Sequence, residues 1–550
     1  MRTITLILLL TFLLPTLVPA FEEPHFARED RLLEGREEFP RSLVQLLDDG
    51  YLRDWDNWRI NSDSSGELQN EQQVAVNPLN PDNLVAVWRD FRLGYRRVGV
   101  GYTFDGGLTW TDTLLPDYFY TRHSDPGITC DAQGNFYTVI LSYEDTSSPN
   151  GLFVTKSADG GVTWGPHVTA VDGVPGVFED KELIACDRTG GPYDGNIYVS
   201  WARFYSTQIY NVRSTDGAQS FQSPIRISDS GGVQWPVPVV GADGTLVVAW
   251  VYTYGPAIRL DRSFDGGATF GSDIQLTSLY TGSTSLNGGI TSYSFPAMDC
   301  DISEGPYEGR FYVAYMDRMG SDYDIFFRYS DNNAATWSSP VRINDDAVNN
   351  GRDQFHPWLT VSPDGAINVV FYDRRNDPSN YLMDLYFTQS LDGGATWLDN
   401  RRVTTVSSDP NAGLRAGLIG EYIGLAASSA NRVHPVWTDT REGNQDTYTS
   451  IIGNSTGVAD AWSGDLKLTG IYPSPFRENT QIKYSAASGA SVSASIFDVK
   501  GRLVRELGGQ GGSVAWDGRD GAGRQLGSGV YLIQLHSGGE VRSGRTLLLR

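Results

Sequence analysis

Arginine and aspartate side chains two positions apart are the residues of this sequence best suited to chemistry. They occur in three copies of one phrase and in a looser fourth copy: Trp88-Arg-Asp-Phe-Arg92, Phe371-Tyr-Asp-Arg-Arg375, Trp437-Thr-Asp-Thr-Arg441 and Tyr315-Met-Asp-Arg318. Residues two apart on a strand face the same side, and guanidinium groups gathered there would bind a carboxylate through paired hydrogen bonds. The alternative is structural, with one Asp–Arg pair fixing a loop in each unit. The recurrence of the pair favours this structural interpretation, because a single ligand does not need the same pair four times.

A second set of residues differs from unit to unit, and departure from a repeat points to function better than agreement does. It precedes the first strand of each unit: Glu71 and Gln72, Arg122-His123-Ser-Asp125, Glu179-Asp-Lys-Glu182, Gln234-Trp235, Ser294-Phe295, Arg352-Asp-Gln-Phe-His356 and Glu421-Tyr422. Two units also replace the Asp–Arg phrase, by Trp201-Ala-Arg203 and Trp250-Val-Tyr252-Thr-Tyr254. Arginine, acidic and aromatic side chains around one opening suit a sugar ligand. A structural role remains the alternative for each of them.

A short repeated phrase organises the elements that position these side chains. Its six copies are Thr103-Phe-Asp-Gly-Gly-Leu-Thr-Trp110, Ser157-Ala-Asp-Gly-Gly-Val-Thr-Trp164, Ser214-Thr-Asp-Gly-Ala-Gln-Ser-Phe221, Ser263-Phe-Asp-Gly-Gly-Ala-Thr-Phe270, Ser330-Asp-Asn-Asn-Ala-Ala-Thr-Trp337 and Ser390-Leu-Asp-Gly-Gly-Ala-Thr-Trp397. The Asp slots at 105, 159, 216, 265, 332 (Asn) and 392 are 49 to 67 residues apart, a period typical of repeat architectures. We expect the Asp or Asn to accept hydrogen bonds from backbone N–H groups two residues on, and Gly to supply the positive φ of the turn.

The repeated phrase resembles the Asp-box, or bacterial neuraminidase repeat, of sialidases and related β-propellers. The resemblance covers about residues 57–454 and implies an all-β propeller. It gives little information about chemistry, because this turn occurs in propellers of many functions. In such a fold the phrase joins the third and fourth strands of a blade. The loops after the second strands and between blades then open on the opposite face, around the axial funnel where ligands usually bind.

The strand pattern indicates seven units, although sialidases have six blades. The seventh, Tyr422 to Asn454, has three strand candidates and no repeated phrase. Trp58-Arg-Ile-Asn61 matches Val341-Arg-Ile-Asn344, a fourth strand in its own unit. The sequence therefore predicts that this N-terminal segment pairs beside Thr447 to Ile452, completes the last blade and closes the ring.

The sialidase resemblance also implies a catalytic set: a Tyr nucleophile backed by Glu, an Asp acid/base and three arginines on the substrate carboxylate. Tyr422, Asp125 and Glu182 fit the first three roles; Glu421 is the poorer choice to support Tyr422, because neighbours on a strand point to opposite sides. The expected substrate-binding residues are Arg89, Arg92, Arg203, Arg375, Arg441, Trp235 and His356. The family's Arg-Ile-Pro phrase is absent, since Arg59-Ile60 is followed by Asn61.

Composition restricts the compartment and the partners. The chain of 550 residues begins with an apolar run and a small-residue cleavage site that predict a signal peptide over 1–20. The run is short for a membrane span, and we expect no transmembrane segment, because no other long apolar stretch is present. A net charge of −23 argues against nucleic acid as a partner. We expect no cofactor and no metal site. Cys130, Cys186 and Cys300 are expected as buried apolar residues rather than disulfides or metal ligands.

The C-terminal segment is predicted as a separate small β domain. The predicted parts are a signal peptide (1–20), an N-terminal extension (21–56), a propeller (57–454), a linker (455–465) and this domain (466–550). Its phrases Tyr472-Pro-Ser-Pro-Phe476, Phe497-Asp-Val-Lys-Gly-Arg502, Trp516-Asp-Gly-Arg-Asp-Gly521 and Gly527-Ser-Gly-Val-Tyr531 are similar to those of immunoglobulin-like sorting domains of type IX secretion and of hook-capping proteins. The resemblance implies the export machinery as a partner, although such domains also occur in purely structural contexts.

Three functions are therefore open. The first is a secreted or cell-surface exo-glycosidase of sialidase type acting on glycans. The second is a non-catalytic propeller that binds a glycan or glycoprotein, and the third is another hydrolase or lyase that uses the same funnel. The first requires three guanidinium groups near one carboxylate and a Tyr–Glu hydrogen bond. The second predicts aromatic residues and Arg–Asp pairs without a free arginine triad.

Overall fold

The computed structural model describes residues 56–550 except 117–119, 145–149, 205–206, 414–418, 429–431, 454–466, 473–475, 486–490, 499–501, 510–511 and 538–539. The chain divides into two compact units, with the boundary between Asn454 and Ser455. The predicted signal peptide, nearly all of the N-terminal extension and the linker lie outside the described residues. Among the described residues, no helix has the length and apolar character needed to cross a membrane.

The first unit contains seven antiparallel sheets, each with a path of four strands. Strands β2 to β17 form sheets one to four in consecutive groups of four: Gln69–Asn77, Asn80–Asp90, Arg97–Thr103, Thr111–Leu114; Arg122–Cys130, Phe136–Tyr143, Gly151–Ser157, Val168–Val171; Phe178–Cys186, Ile197–Phe204, Gln208–Ser214, Ile225–Arg226; Val233–Val240, Leu246–Tyr252, Ala257–Ser263, Ile274–Ser278. Strands β20 to β27 form sheets five and six in the same way: Ala297–Cys300, Phe311–Asp317, Asp324–Ser330, Val341–Arg342; Gln354–Val361, Ile367–Asp373, Asp384–Ser390, Arg401–Arg402.

The seventh sheet joins the two ends of the unit. Its strands are β28 (Gly424–Ala427), β29 (Arg432–Asp439), β30 (Asp446–Ser450) and β1 (Asn57–Arg59), with a short β31 (Ile452–Gly453) also paired on β29. In the β1–β30 register, Trp58 lies opposite Thr449. The predicted pairing of the N-terminal segment with the last unit is confirmed.

The first strands of the seven sheets contact one another in chain order, and the first strand of sheet seven contacts that of sheet one, so the sheets form a closed ring. Each sheet packs between two neighbours, which buries its second strand on both faces. Leu84 to Trp88 in β3 are 0% exposed, and Trp201, Trp250 and Trp437 in other second strands are equally buried. Burial on both faces explains why these strands read as unbroken apolar runs rather than as alternating ones.

The repeated phrase forms the turn between third and fourth strands. In the first copy, Asp105 Oδ1 accepts hydrogen bonds from the N–H groups of Leu108 and Thr109, both at 2.9 Å. These donors lie three and four residues on, not two as expected, and the Thr103 hydroxyl donates to the same oxygen at 2.7 Å. Gly106 and Gly107 have φ of 72° and 94°, as the sequence predicts.

A hairpin between sheets four and five was not predicted. It consists of β18 (Ser283–Leu286) and β19 (Ile290–Tyr293), joined by a 3-10 turn at Asn287–Gly289. Its tip reaches the loops of sheet six, where Arg374 Nη2 donates to the Asn287 carbonyl oxygen at 2.8 Å. The longest gap between repeated phrases, from position 265 to 332, contains this insertion.

The second unit is also all-β. Its strands β32 to β38 are Lys467–Tyr472, Thr480–Ser485, Val492–Asp498, Leu503–Gly509, Ser513–Trp516, Gly529–Ser537 and Glu540–Leu548. They form a sheet in the order β32-β33-β36 and another in the order β35-β34-β37-β38. Trp516, Ile482 and Ile533 lie in its apolar core, each 0% exposed.

Candidate functional site

The first strands carry an irregularity at one shared position. In β2, β6, β10, β14 and β24 the register shifts there, and a non-glycine residue adopts a left-handed backbone: Glu71, Asp125, Lys181, Trp235 and His356, with φ between 47° and 58°. In sheets five and seven the corresponding residues, two before the strand begins, are Phe295 and Tyr422. Such a backbone is costly for residues with a Cβ, so the surrounding fold holds it in place.

These residues come from different sheets and meet at the axis of the ring. Lys181 Nζ of sheet three lies 3.1 Å from Asp125 Oδ2 of sheet two and 3.0 Å from Glu421 Oε2, just before sheet seven. Trp235 Nε1 of sheet four donates to the same Glu421 oxygen at 3.0 Å. The Tyr422 hydroxyl donates to the Pro126 carbonyl oxygen of sheet two at 3.4 Å. Sheets three and four are not neighbours of sheet seven, so these contacts cross the centre.

We call the polar residues of this region the axial cluster: Glu71, Arg89, Asp125, Lys181, Glu182, Glu421 and Tyr422. Arg89 Nη2 lies 3.2 Å from Glu71 Oε1, and both side chains are 1% exposed. Burial opposes charge on Lys181, but Asp125, Asp180 and Glu421 raise its pKa well above the usual value. Burial would raise the pKa of Asp125, but Lys181 and Arg89 lower it below its usual range.

The carboxyl group of Glu182 in the axial cluster is held neutral, and the pKa of a second carboxyl group, that of Glu71, is raised. Burial raises the pKa of Glu71, although Arg89 opposes the shift. Burial and the charge of Asp125 raise the pKa of Glu182 well above its usual value. Among the described residues, neither side-chain oxygen of Glu182 has a hydrogen-bond partner. Burial and the charges of Glu71 and Asp125 also raise the pKa of Tyr422, which keeps its hydroxyl protonated.

The structure places the three predicted catalytic residues, Tyr422, Asp125 and Glu182, together in the axial cluster. Within the described residues, the Tyr422 hydroxyl forms no hydrogen bond with a glutamate; Glu421 bonds Trp235 and Lys181 instead. Tyr422 is 6% exposed and Asp125 3%, so the cluster is packed rather than open. A cavity of about 400 Å³ lies elsewhere, beside Trp164 and the turns of the opposite face.

All five arginines predicted to bind substrate are paired with carboxylates. Besides the Arg89–Glu71 pair, the contacts are Arg92 with Asp90 (2.7 Å) and Asp112 (2.8 Å), Arg203 with Glu179 (2.6 Å), Arg375 with Asp373 (2.8 Å) and Asp345, and Arg441 with Asp439 (2.7 Å). The guanidinium groups of Arg203, Arg375 and Arg441 also stack on tyrosines of their own sheets, 4.4 to 4.5 Å from the ring centroids. The structural interpretation of the repeated Asp–Arg phrase therefore fits these contacts.

The two other predicted binding residues are buried. Trp235 is 4% exposed, and its ring centroid lies 3.9 Å from that of Tyr293 in the hairpin. His356 is 3% exposed and packs against Phe355 at 5.2 Å between ring centroids. Burial and the nearby Arg374 charge lower the pKa of His356 to about 3, so its imidazole is neutral.

Sheet five departs from the arginine pattern. Here Arg318 follows Asp317 directly rather than two residues later. Asp317 Oδ1 accepts the Tyr280 N–H at 2.8 Å, and the Arg318 guanidinium lies 5.0 Å from the Tyr280 ring centroid. Among the described residues, Arg318 forms no ion pair. The sequence pointed to this looser copy through its changed spacing, but it gave no sign of the Tyr280 contact, and Lys181 was included only within Glu179-Asp-Lys-Glu182 without a role.

The cysteines are as the sequence predicts. Cys130, Cys186 and Cys300 are buried free thiols, as predicted. In the described part of the chain, no group of three or more His, Cys, Asp or Glu side chains is arranged to hold a metal ion.

Comparisons with known proteins identify the second unit. Residues 470–548 match the family model described as "Secretion system C-terminal sorting domain". The predicted sorting domain is therefore confirmed. It indicates secretion or display at the outer surface through the type IX system, and it implies the export machinery as a partner. No curated protein matches the chain.

Solved structures with a similar fold include sialidases and a secretion component. The Hadza microbial sialidase Hz136 is 17% identical (68% of this chain, 74% of that one, TM-score 0.40), and a leech intramolecular trans-sialidase is 11% identical (60% and 70%, TM-score 0.43). PorZ, a surface component of the type IX secretion system of Porphyromonas gingivalis, is 15% identical (90% and 61%, TM-score 0.39).

Proposed function

We propose that residues 57–454 form a seven-bladed β-propeller that binds glycans without hydrolysing them. On this proposal, residues 466–550 form an immunoglobulin-like sandwich that directs the propeller to the cell exterior, after a signal peptide at 1–20 has begun its export. The protein would then act as a secreted or surface-displayed binding module for a glycan or glycoprotein.

The pairing of the arginines carries this proposal. A sialidase-type enzyme needs several guanidinium groups free to bind the carboxylate of its substrate. Here Arg92, Arg375 and Arg441 each bond the aspartate two residues earlier, and those aspartates are 0% exposed. Removing an arginine from such a pair would leave a buried carboxylate without its partner, which is strongly unfavourable. These side chains therefore support loops and are not available to a ligand.

The packing of the axial cluster supports the same conclusion. An exo-glycosidase needs a pocket for one terminal sugar, and ligand pockets usually enclose several hundred Å³. At the axis, Lys181 and Trp235 instead bond a single carboxylate from the opposite side of the ring. Ion pairs and packed rings therefore occupy the axis, where Tyr422 is 6% and Trp235 4% exposed.

Glycosidase assays on the full-length secreted protein test the proposal. A panel of fluorogenic glycosides, with sialic acid, arabinofuranose and neutral hexoses, should give no product above a buffer control. The same preparation should bind immobilised glycans. Release of product, lost in Tyr422→Phe and retained in the exposed-surface variant Phe264→Ala, would contradict the proposal, as would binding to no glycan at all.

An exo-glycosidase is the second candidate, and one observation favours it. Tyr422 lies in a buried site with Glu71, Asp125 and Glu182, whose pKa values are shifted in opposite directions. Strongly shifted pKa values cluster at catalytic sites, although structural ion pairs shift them too. The Tyr422→Phe arm of the assay separates the two candidates, because it removes only the hydroxyl.

A further inference from the structure

Sheet five holds the aspartate at the end of its second strand without an arginine. In sheets one, six and seven, the equivalent aspartate bonds the guanidinium of the arginine two residues later. In sheet five this aspartate is Asp317, and Met319 stands where the arginine would be. Asp317 Oδ1 instead accepts two backbone N–H groups, those of Tyr280 and Arg318, both at 2.8 Å. The Arg318 guanidinium is therefore not used to hold this carboxylate.

The same backbone contact brings an exposed aromatic ring to the Arg318 guanidinium. Its central carbon lies 5.0 Å from the ring centroid of Tyr280 and 5.8 Å from that of Tyr323. Tyr323 is 9% exposed, and its hydroxyl donates to Thr284 Oγ1 of the hairpin β18–β19 at 2.9 Å. Tyr280 is 61% exposed. The guanidinium thus lies close to one buried, anchored ring and one ring that is open to solvent.

The Arg318 guanidinium has donor atoms that the described chain does not use. Its Nε donates to the Gly320 carbonyl oxygen at 3.1 Å. Among the described residues, no hydrogen bond involves its Nη1 or Nη2 atom. In Arg92, Arg375 and Arg441, by contrast, Nη2 bonds a carboxylate. Two donors in one plane match the two oxygens of a carboxylate group.

Three departures from the repeat meet at this position. They are the shortened Asp317-Arg318 spacing, the exposed Tyr280 ring and the inserted hairpin, which supplies Thr284 to anchor Tyr323. The hairpin lies on the same connection between sheets four and five as Tyr280. Sheets one, six and seven use paired arginines at this position instead. The strand plan of the ring therefore does not require the arrangement of sheet five, and ligand binding accounts for it.

We propose that Tyr280 and Arg318, here called the sheet-five site, bind an oligosaccharide that carries a carboxylate. The inference rests on the proposed glycan-binding function and gives that function a position and a ligand class. The exposed Tyr280 ring stacks on the C–H face of one sugar. The Nη1 and Nη2 atoms of Arg318 donate paired hydrogen bonds to a carboxylate on the adjoining sugar.

Charge and side-chain type favour this ligand class over others. A net charge of −23 repels densely charged polyanions such as nucleic acid, so isolated carboxylates on a sugar chain are the better partner. A tyrosine loses little conformational freedom on binding, since it has only two side-chain torsions. Because Tyr280 is already exposed, binding there needs no opening of the packed axial cluster.

A glycan array tests the inference with the full-length secreted protein. The array carries carboxylated, sulfated and neutral oligosaccharides of matched length, including uronate oligomers and their methyl esters. We expect binding to carboxylated members, with affinity reduced about tenfold or more in Tyr280→Ala and in Arg318→Ala. Only Arg318→Ala should also remove the preference for a free acid over its methyl ester.

Phe264→Ala is the matched control. Phe264 is 59% exposed on a repeated turn of the opposite face, and Arg262 lies 5.2 Å from its ring centroid, so it reproduces an exposed ring beside an arginine. The control should bind like the unmodified protein, and an equal loss of affinity in Phe264→Ala would overturn the assigned position. Glycan binding that survives both Tyr280→Ala and Arg318→Ala would overturn the inference and leave the proposed function standing. Binding to no glycan would overturn both, and preference for sulfated or neutral members would overturn the carboxylate assignment.

Discussion

The axial cluster and the sheet-five site use similar side chains in opposite ways. Both combine tyrosine with a cationic group. In the axial cluster the charges are buried and paired, as with Lys181 between Asp125 and Glu421. By contrast, the Tyr280 ring beside sheet five is 61% exposed, and among the described residues the Arg318 guanidinium over it forms no ion pair.

This difference distinguishes charged side chains that stabilise the fold from one that we propose binds a ligand. A cation held by buried carboxylates fixes the position of neighbouring strands but is closed to a ligand. A one-residue change in spacing, as in Asp317-Arg318, leaves the buried aspartate in place and releases the cation to the surface. The departure from the repeat, rather than the repeated pair, is therefore where we place ligand recognition.

Lys181→Met gives the largest expected effect. It leaves Asp125 and Glu421 without their shared ammonium in a buried site, which costs about 3–5 kcal/mol of unfolding free energy. Arg318→Met, the same kind of change in the sheet-five site, should cost no more than about 0.5 kcal/mol. Calorimetric melting of both variants measures the loss of unfolding free energy. Similar losses in Lys181→Met and Arg318→Met would contradict the difference between buried, paired cations and the exposed one.

Glu182→Gln should show a pH-dependent gain in stability. Because the folded-state pKa of Glu182 is raised, the native protein loses stability as pH rises from the unfolded-state pKa toward the folded one. An amide cannot ionise, so the variant escapes that loss, at about 1.4 kcal/mol for each unit of pKa displacement. Its melting temperature relative to the unmodified protein should increase from pH 5 to pH 8. A difference in melting temperature that stays constant or decreases from pH 5 to pH 8 would contradict a neutral Glu182 side chain in the folded protein.

Much of the ring could be predicted from the sequence because each unit repeats the same local signals. The turns, the buried second strands and the pairing of Trp58 with the last unit all follow from short-range patterns or from matching phrases. The hairpin β18–β19 could not be predicted, because it occurs once and has no repeat partner. Its polar tip contacts loops of sheet six, which lie far along the chain.

The gathering of these side chains at the axis was predictable, but their pairing was not. The residues before the first strands do gather at the axis, as Asp125 and Tyr422 show. The partner of Asp125 was missed because Lys181 reaches it from a left-handed backbone that its residue type disfavours. The sequence also does not show which arginines are unpaired, because pairing depends on distances across loops rather than on residue type.

Moving the arginine by one residue tests the spacing argument. The double variant Arg318→Ser/Met319→Arg restores the two-residue spacing after Asp317 and keeps the net charge. We expect the new guanidinium to pair with Asp317, as Arg375 pairs with Asp373, and binding of carboxylated glycans to fall about tenfold. Isothermal titration with a uronate oligomer measures the change. Retained affinity would show that the spacing does not control the free charge.

Arg318→Lys is the smallest change and separates charge from geometry. Lysine keeps the positive charge but loses the planar group that stacks on Tyr280 and donates paired hydrogen bonds. An exposed cation–π contact contributes about 0.5–1 kcal/mol, so affinity for a uronate oligomer should fall about two- to fivefold. The loss should be smaller than in Arg318→Ala, measured under the same salt conditions. An equal loss of affinity in Arg318→Lys and Arg318→Ala would mean that recognition of the carboxylate depends on the flat, stacked guanidinium and not on its charge alone. Unchanged affinity in Arg318→Lys would mean that this residue acts only as a positive charge.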